Sequence, residues 1–130
     1  MSAVSSLAQQ AIVTFLPISN VDKARTFYRD TLGLALIEEE LPFALVFDVN
    51  GVMLRLTLVG EFTPAPWTVF GWQVTEIEQM VQTLTAAGVE FTRYDQLEQD
   101  ELGVWSAPGG AKVAWFKDLE GNVLSLSQHG

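Results

Sequence analysis

Ala-Trp-Phe-Lys-Asp-Leu-Glu-Gly-Asn-Val-Leu-Ser-Leu-Ser-Gln, residues Ala114 to Gln128, reads as a β-hairpin. An apolar run from Val113 to Phe116 leads into Asp118-Leu119-Glu120-Gly121-Asn122, whose residue types tolerate tight backbone geometry. The run that follows alternates, so Leu124 and Leu126 take one side of a sheet and Val123, Ser125 and Ser127 the other. The chain repeats this statement earlier. Phe47-Asp48-Val49-Asn50-Gly51-Val52-Met53-Leu54-Arg55-Leu56-Thr57 aligns glycine on glycine, with Leu54 and Leu56 over Leu124 and Leu126 and Arg55 over Ser125.

Working outward from the two hairpins gives a duplicated unit. Residues 1–10 are small and polar and predict a flexible tail or a subunit-contact arm. Ala11 to Ile18 alternates as a strand. Ser19 and Asp22 are spaced as a capping box for a helix carrying Val21, Ala24, Phe27, Tyr28 and Leu32, which ends at Gly33. Strands over Leu34 to Glu40, Phe43 to Val49 and Val52 to Val59 follow. Gly60 to Pro66 punctuates the chain with two prolines, Pro64 and Pro66. The order then recurs: a strand over Trp67 to Val74, a Thr75/Glu78 capping box, a stripe of Ile77, Met80, Val81, Leu84 and Ala87, a stop at Gly88, and a strand over Val89 to Tyr94. Asp95 to Gly110 is a long connection with room for a short strand near Val104 to Ser106. The expected fold class is α+β: tandem βαβββ modules (11–60 and 67–128, joined at 60–66) in one domain, 11–130, forming a curled, cup-like mixed sheet with helices on its outer face.

Composition bounds the function. A chain of 130 residues, 48% of them hydrophobic, can bury one core. Its net charge of −9 argues against nucleic acid and anionic membranes as partners. With no cysteine there is no disulfide, thiolate nucleophile or zinc–thiolate site. Neither a secretory signal nor an apolar run of membrane-spanning length is evident, so the cytoplasm is the expected compartment.

The motifs Ile18-Ser19-Asn20-Val21-Asp22-Lys23-Ala24, Phe27-Tyr28-Arg29-Asp30 and Leu32-Gly33-Leu34 resemble the vicinal-oxygen-chelate superfamily. So do Ala87-Gly88-Val89-Glu90-Phe91, Trp115-Phe116-Lys117-Asp118 and Glu120-Gly121-Asn122. That superfamily includes glyoxalase I, extradiol dioxygenases, and fosfomycin- and bleomycin-resistance proteins. Leu119 departs from the proline usual in its turn. The resemblance implies paired βαβββ modules, frequent dimerisation and, in the enzymes, a divalent metal. The places matching the family's ligands are Val13, Arg55, Val69 and Ser125. Valine has no donor atom, a guanidinium repels a divalent ion, and serine alone is a weak ligand. The expectation is therefore no metal, no cofactor and no catalytic residue. The one histidine, His129, is read as a solvated tail residue.

By strand alternation the inward, ligand-facing candidates are Val13, Phe15, Met53, Arg55, Thr57, Val69, Gln73, Ser125 and Ser127, with Gly71 and Val123 between them. Trp105 and Trp115 are candidate aromatic walls, and Asp95 to Gly110 a candidate flap. Mostly apolar residues with a few converging polar groups suit a small-molecule pocket. Arg55 is either the anchor for an anionic or carbonyl group or one half of a structural ion pair. The favoured reading is a homodimeric protein that captures an anionic or aromatic small molecule without chemistry, as in resistance-type sequestration. Two alternatives stand beside it. One is a lyase, isomerase or dioxygenase with a non-standard site drawing on Glu39, Asp48 or His129; the other is an interaction module with no ligand.

Overall fold

A computed structural model describes residues 3–130, and the side chains from residue 6 onward. Its strands form two four-stranded mixed sheets of the same plan. β1 (Val13–Ile18), β2 (Ala35–Glu40), β3 (Ala44–Val49) and β4 (Val52–Leu58) lie in the order β1-β4-β3-β2. β5 (Thr68–Gln73), β6 (Trp105–Ser106), β7 (Lys112–Lys117) and β8 (Val123–Gln128) lie in the order β5-β8-β7-β6. In each sheet the first strand runs parallel to the last, and the last two form the hairpin read from the sequence. The α+β repeat is thus as expected, except that the eight strands make two sheets rather than one continuous curled surface. The expected tail contains a 3-10 helix over Ala3–Gln9, followed by exposed Gln10, while Met1 and Ser2 lie outside the described residues.

Alternation puts Leu16, Leu54 and Leu56 of the first sheet and Leu124, Leu126 and Phe116 of the second into a single core, each no more than 2% exposed. The first helix joins them. Phe27 reaches Phe116 in the second sheet at 6.4 Å between rings, and its neighbour Tyr28 reaches Phe47 in the first at 6.1 Å. One helix therefore packs on both sheets, so both core faces turn toward common ground.

Three local expectations are corrected. The first helix, α1 (Val21–Ala24), is capped by Asn20, whose side chain accepts from the Lys23 N–H at 2.9 Å. It continues as a π-helix over Arg25–Thr31. Ser19 does not cap it, because its backbone N–H and hydroxyl are both bonded to the Glu120 carboxylate. The second helix, α2 (Ile77–Ala86), likewise has no Thr75/Glu78 box. Its first N–H is taken by Gln128 Oε1 at 2.8 Å, and Glu78 instead pairs with Lys112 at 2.8 Å. Finally, Val89 to Tyr94 is not a strand; only a bridge from Phe91 to Phe116 survives. Side chains occupy the groups a ladder would have used. Gln99 accepts from the Tyr94 N–H and donates to the Thr92 carbonyl, at 2.7 and 3.0 Å.

Candidate functional site

Both sheets have a second face, turned away from the core. On the first, the ladder aligns Val13 with Met53, and Phe15 with Arg55 and then Val46 and Glu38; Thr57 lies beside Ala44 and Glu40. On the second, Gly71 aligns with Ser125 and Trp115, and Gln73 with Ser127, Val113 and Trp105. Val69 falls at an irregularity in the β5–β8 register and is 38% exposed. Each candidate read from the sequence thus lies on one of these two open faces or at the edge of one. The structure assembles them as two surfaces rather than one enclosed hollow.

Large apolar side chains are left uncovered on and around these faces. Phe15 is 64% exposed, with Val13 and Met53 beside it, and Trp67 and Phe43 at the margins are equally uncovered. The best-formed clefts among the described residues lie elsewhere. One, of about 160 Å³, runs between Leu32 and Leu34 and the α2 residues Met80 and Leu84, over Trp72 and Phe116. Trp105, one of the candidates, lines a cleft with Glu98 and Asp100.

Arg55 resolves to the structural alternative. Its Nη2 donates to Glu40 Oε1 at 2.6 Å across the intervening strand β3. That hydrogen bond raises the guanidinium's pKa and lowers that of Glu40. Glu38, on the same face, is pushed up by its contact with Glu40 and then by that residue's charge. The alternate spacing of Glu38 and Glu40 is the signal in the sequence that both share a face.

On the second sheet Trp115 lies on the open face, opposite Ser125. Tyr94 meets it edge-on at 5.3 Å, and Trp105 lies at 6.1 Å with a 35° tilt, making a half-buried aromatic cluster of three rings. Tyr94 was not foreseen. The connection after it is no loose flap: Arg93 donates to the carbonyls of Asp100 and Glu101 at 2.6 and 2.7 Å, and Asp100 caps the Leu102 and Val104 N–H groups. His129 lies 3.1 Å from the Ser127 hydroxyl, at the rim of this face.

A family sequence profile, Glyoxalase/Bleomycin resistance protein/Dioxygenase superfamily, matches residues 10–126. The chain belongs to this superfamily. Solved structures agree. A glyoxalase family protein from Bacillus anthracis superposes with a TM-score of 0.72 at 17% identity, covering 94% of this chain and 96% of its own. Lactoylglutathione lyase from Agrobacterium tumefaciens gives 0.70 at 17%, covering 92% of each. TioX from Micromonospora sp. ML1 gives 0.68 at 18%, covering 93% and 99%. At such identities the likeness is one of fold. A search of curated proteins finds no match.

The superfamily's enzymes imply a divalent metal, and the residues here do not fit one. Val13 and Val69 offer no donor, Arg55 presents a cation held by Glu40, and Ser125 supplies one hydroxyl. Among the described residues no three of His, Asp, Glu or Cys gather as a metal would require. Among the described residues no helix is long and apolar enough to cross a membrane.

Proposed function

We propose that this superfamily member binds a small molecule against its two open sheet faces, without a metal at the superfamily's usual positions, and acts by capture. The observation that carries the reading is the replacement of every expected donor on those faces by Val13, Val69, Ser125 and an ion-paired Arg55, beside uncovered Phe15 and Met53. Exposed apolar side chains gathered on one face and rimmed by polar groups are characteristic of sites that bind something.

The site is completed by a second copy of the chain, as a cytoplasmic homodimer. Because both core faces meet in one cluster bridged by Phe27 and Phe116, the two open faces of one chain point away from shared ground. A partner supplies the missing wall: the first sheet of one copy over the second sheet of the other. Phe15, Met53 and Trp115 would then be covered from across the interface.

Light scattering and metal analysis on purified protein test this together. The expected result is a dimer with no stoichiometric metal, stabilised in thermal melts by members of a panel of aromatic compounds. Phe15→Glu should yield folded monomer and abolish the ligand-induced shift. Stoichiometric metal lost together with an enzymatic activity would support the lyase, isomerase or dioxygenase alternative. A dimer unresponsive to every compound would favour the interaction module.

A further inference from the structure

We propose that the open faces select a flat organic cation, not an anion. The inference rests on the binding reading above and names the ligand's charge and shape.

Three independent features point the same way. First, the cation that suggested an anionic ligand is already occupied, since Arg55 donates to Glu40 at 2.6 Å. Second, the charges near it sum to an acidic surface. Glu38 and Glu40 flank Arg55, and Asp48 lies on the same face opposite Met53. The one other cation whose strand position faces outward is Lys117, at the far end of β7 opposite Val123. An arriving anion would have to displace Glu40 from Arg55 and meet Glu38 beside it. An arriving cation finds a carboxylate already crowded by its neighbour. Third, the facing surface is aromatic. Trp105, Trp115 and Tyr94 present ring area 5–6 Å apart, centroid to centroid, within one cluster. Aromatic faces attract cations and stack on planar rings. Serine hydroxyls at Ser125 and Ser127 and the Gln73 amide can accept hydrogen bonds from ring N–H groups.

Glu38 gives the pairing a pH signature. Its carboxyl is held above the usual range by the Glu40 contact and charge, with Arg55 opposing. A bound cation lowers it again, so cation binding should strengthen as pH rises through the carboxylate range and should release a proton there.

Proflavine, a planar tricyclic cation at neutral pH, and 1-naphthalenesulfonate, a planar anion, are suitable probes, titrated while tryptophan fluorescence is followed. Saturable quenching by proflavine at least tenfold tighter than by the sulfonate is expected, weakening with salt. Glu38→Gln should weaken proflavine several-fold. Glu90→Gln, which removes the same charge from the segment following α2, should leave it unchanged; this separates a site from general attraction to an acidic protein. Trp115→Phe should retain part of the affinity and Trp115→Leu lose it, with circular dichroism verifying the fold. Tighter sulfonate binding would overturn the cation inference while leaving ligand capture intact. Equal loss in Glu38→Gln and Glu90→Gln would also overturn it. Failure of both probes to quench would overturn the cation inference; the binding reading itself falls only if the wider panel of aromatic compounds also leaves the thermal melt unchanged.

Discussion

Tyr28→Phe removes a single oxygen from the best-connected polar site in the molecule. Tyr28 is 1% exposed, and its hydroxyl donates to Asp118 Oδ2 at 2.7 Å. The ring would stay, keeping its edge contact with Phe27 at 5.3 Å and its tilt against Phe47 at 6.1 Å. Asp118 would also keep its other donors: the Asn122 and Glu120 N–H groups at 2.9 Å and the Asn122 amide at 2.8 Å. The expected loss is therefore that of one hydrogen bond to a carboxylate, about 1.5–3 kcal/mol. Asp118→Ala should cost more, about 3–5 kcal/mol, because it removes the acceptor of a buried hydroxyl, two backbone N–H groups and the Asn122 amide at once. Urea unfolding with unchanged slope measures both. Alkaline pH supplies a second readout. Burial, and then the Asp118 charge, raise the Tyr28 pKa in the folded state. The unfolded chain releases that proton near pH 10, at about its ordinary value. Above that pH the folded state holds more protons than the unfolded one, so stability falls as pH rises, by up to about 1.4 kcal/mol per pH unit. The contribution is fully present below about pH 10, and Tyr28→Phe should erase the alkaline slope it causes. A variant within about 0.5 kcal/mol of the parent, with the same slope, would refute the role assigned to this hydroxyl.

Four further single variants and one double variant are read by the same urea measurement. Gly51 and Gly121 occupy matching turns with φ of 87° and 96°, but only a Cβ at Gly121 would come within 3.0 Å of Pro64. Gly51→Ala should cost about 1 kcal/mol and Gly121→Ala roughly a further 1 kcal/mol. At Gly71 a Cβ would lie 2.7 Å from the Ser125 hydroxyl and 2.8 Å from its carbonyl oxygen. Gly71→Ala should cost about 1–3 kcal/mol, and adding Ser125→Ala should restore little, because the carbonyl remains. Gln128→Ala uncovers the Ile77 N–H at the start of α2 and should cost about 1 kcal/mol, as loss of a helix cap does.

What could be read from the chain was whatever backbone geometry forces locally. Alternation placed Leu54 and Leu56, like Leu124 and Leu126, on the core side, because successive strand side chains must point oppositely. The two Gly-centred turns fixed the hairpins for the same reason. Features made by contacts distant in sequence were hidden. Ser19 looked like a helix cap, yet its hydrogen bonds go to Glu120, 101 residues away. Val89 to Tyr94 has strand-forming residues, but Gln99 and Arg93 divert the connection, and no spacing rule announces that. Arg55 could be assigned to a face; which acid would meet it depended on how β2 lies beside β3.

The two copies of the hairpin turn show how a repeat becomes one particular molecule. In the first, Asp48 is exposed and Asn50 turns the chain with φ of 50°, serving only its own sheet. In the second, the same kind of turn is keyed into the other module. Asn122 donates to the Pro17 carbonyl at 2.9 Å, Glu120 accepts from Ser19, and Asp118 accepts from Tyr28. Those bonds hold the ends of β1 and the first helix against the second sheet, and with them the contact of Phe27 on Phe116. A sheet has only two faces. Once both core faces are committed to this shared interior, neither open face can be buried there, however favourable its apolar residues. The polar key formed by Tyr28, Asp118 and Asn122 thus does more than stabilise: by fixing which faces meet inside the chain, it leaves Phe15, Met53 and Trp115 available to whatever binds from outside.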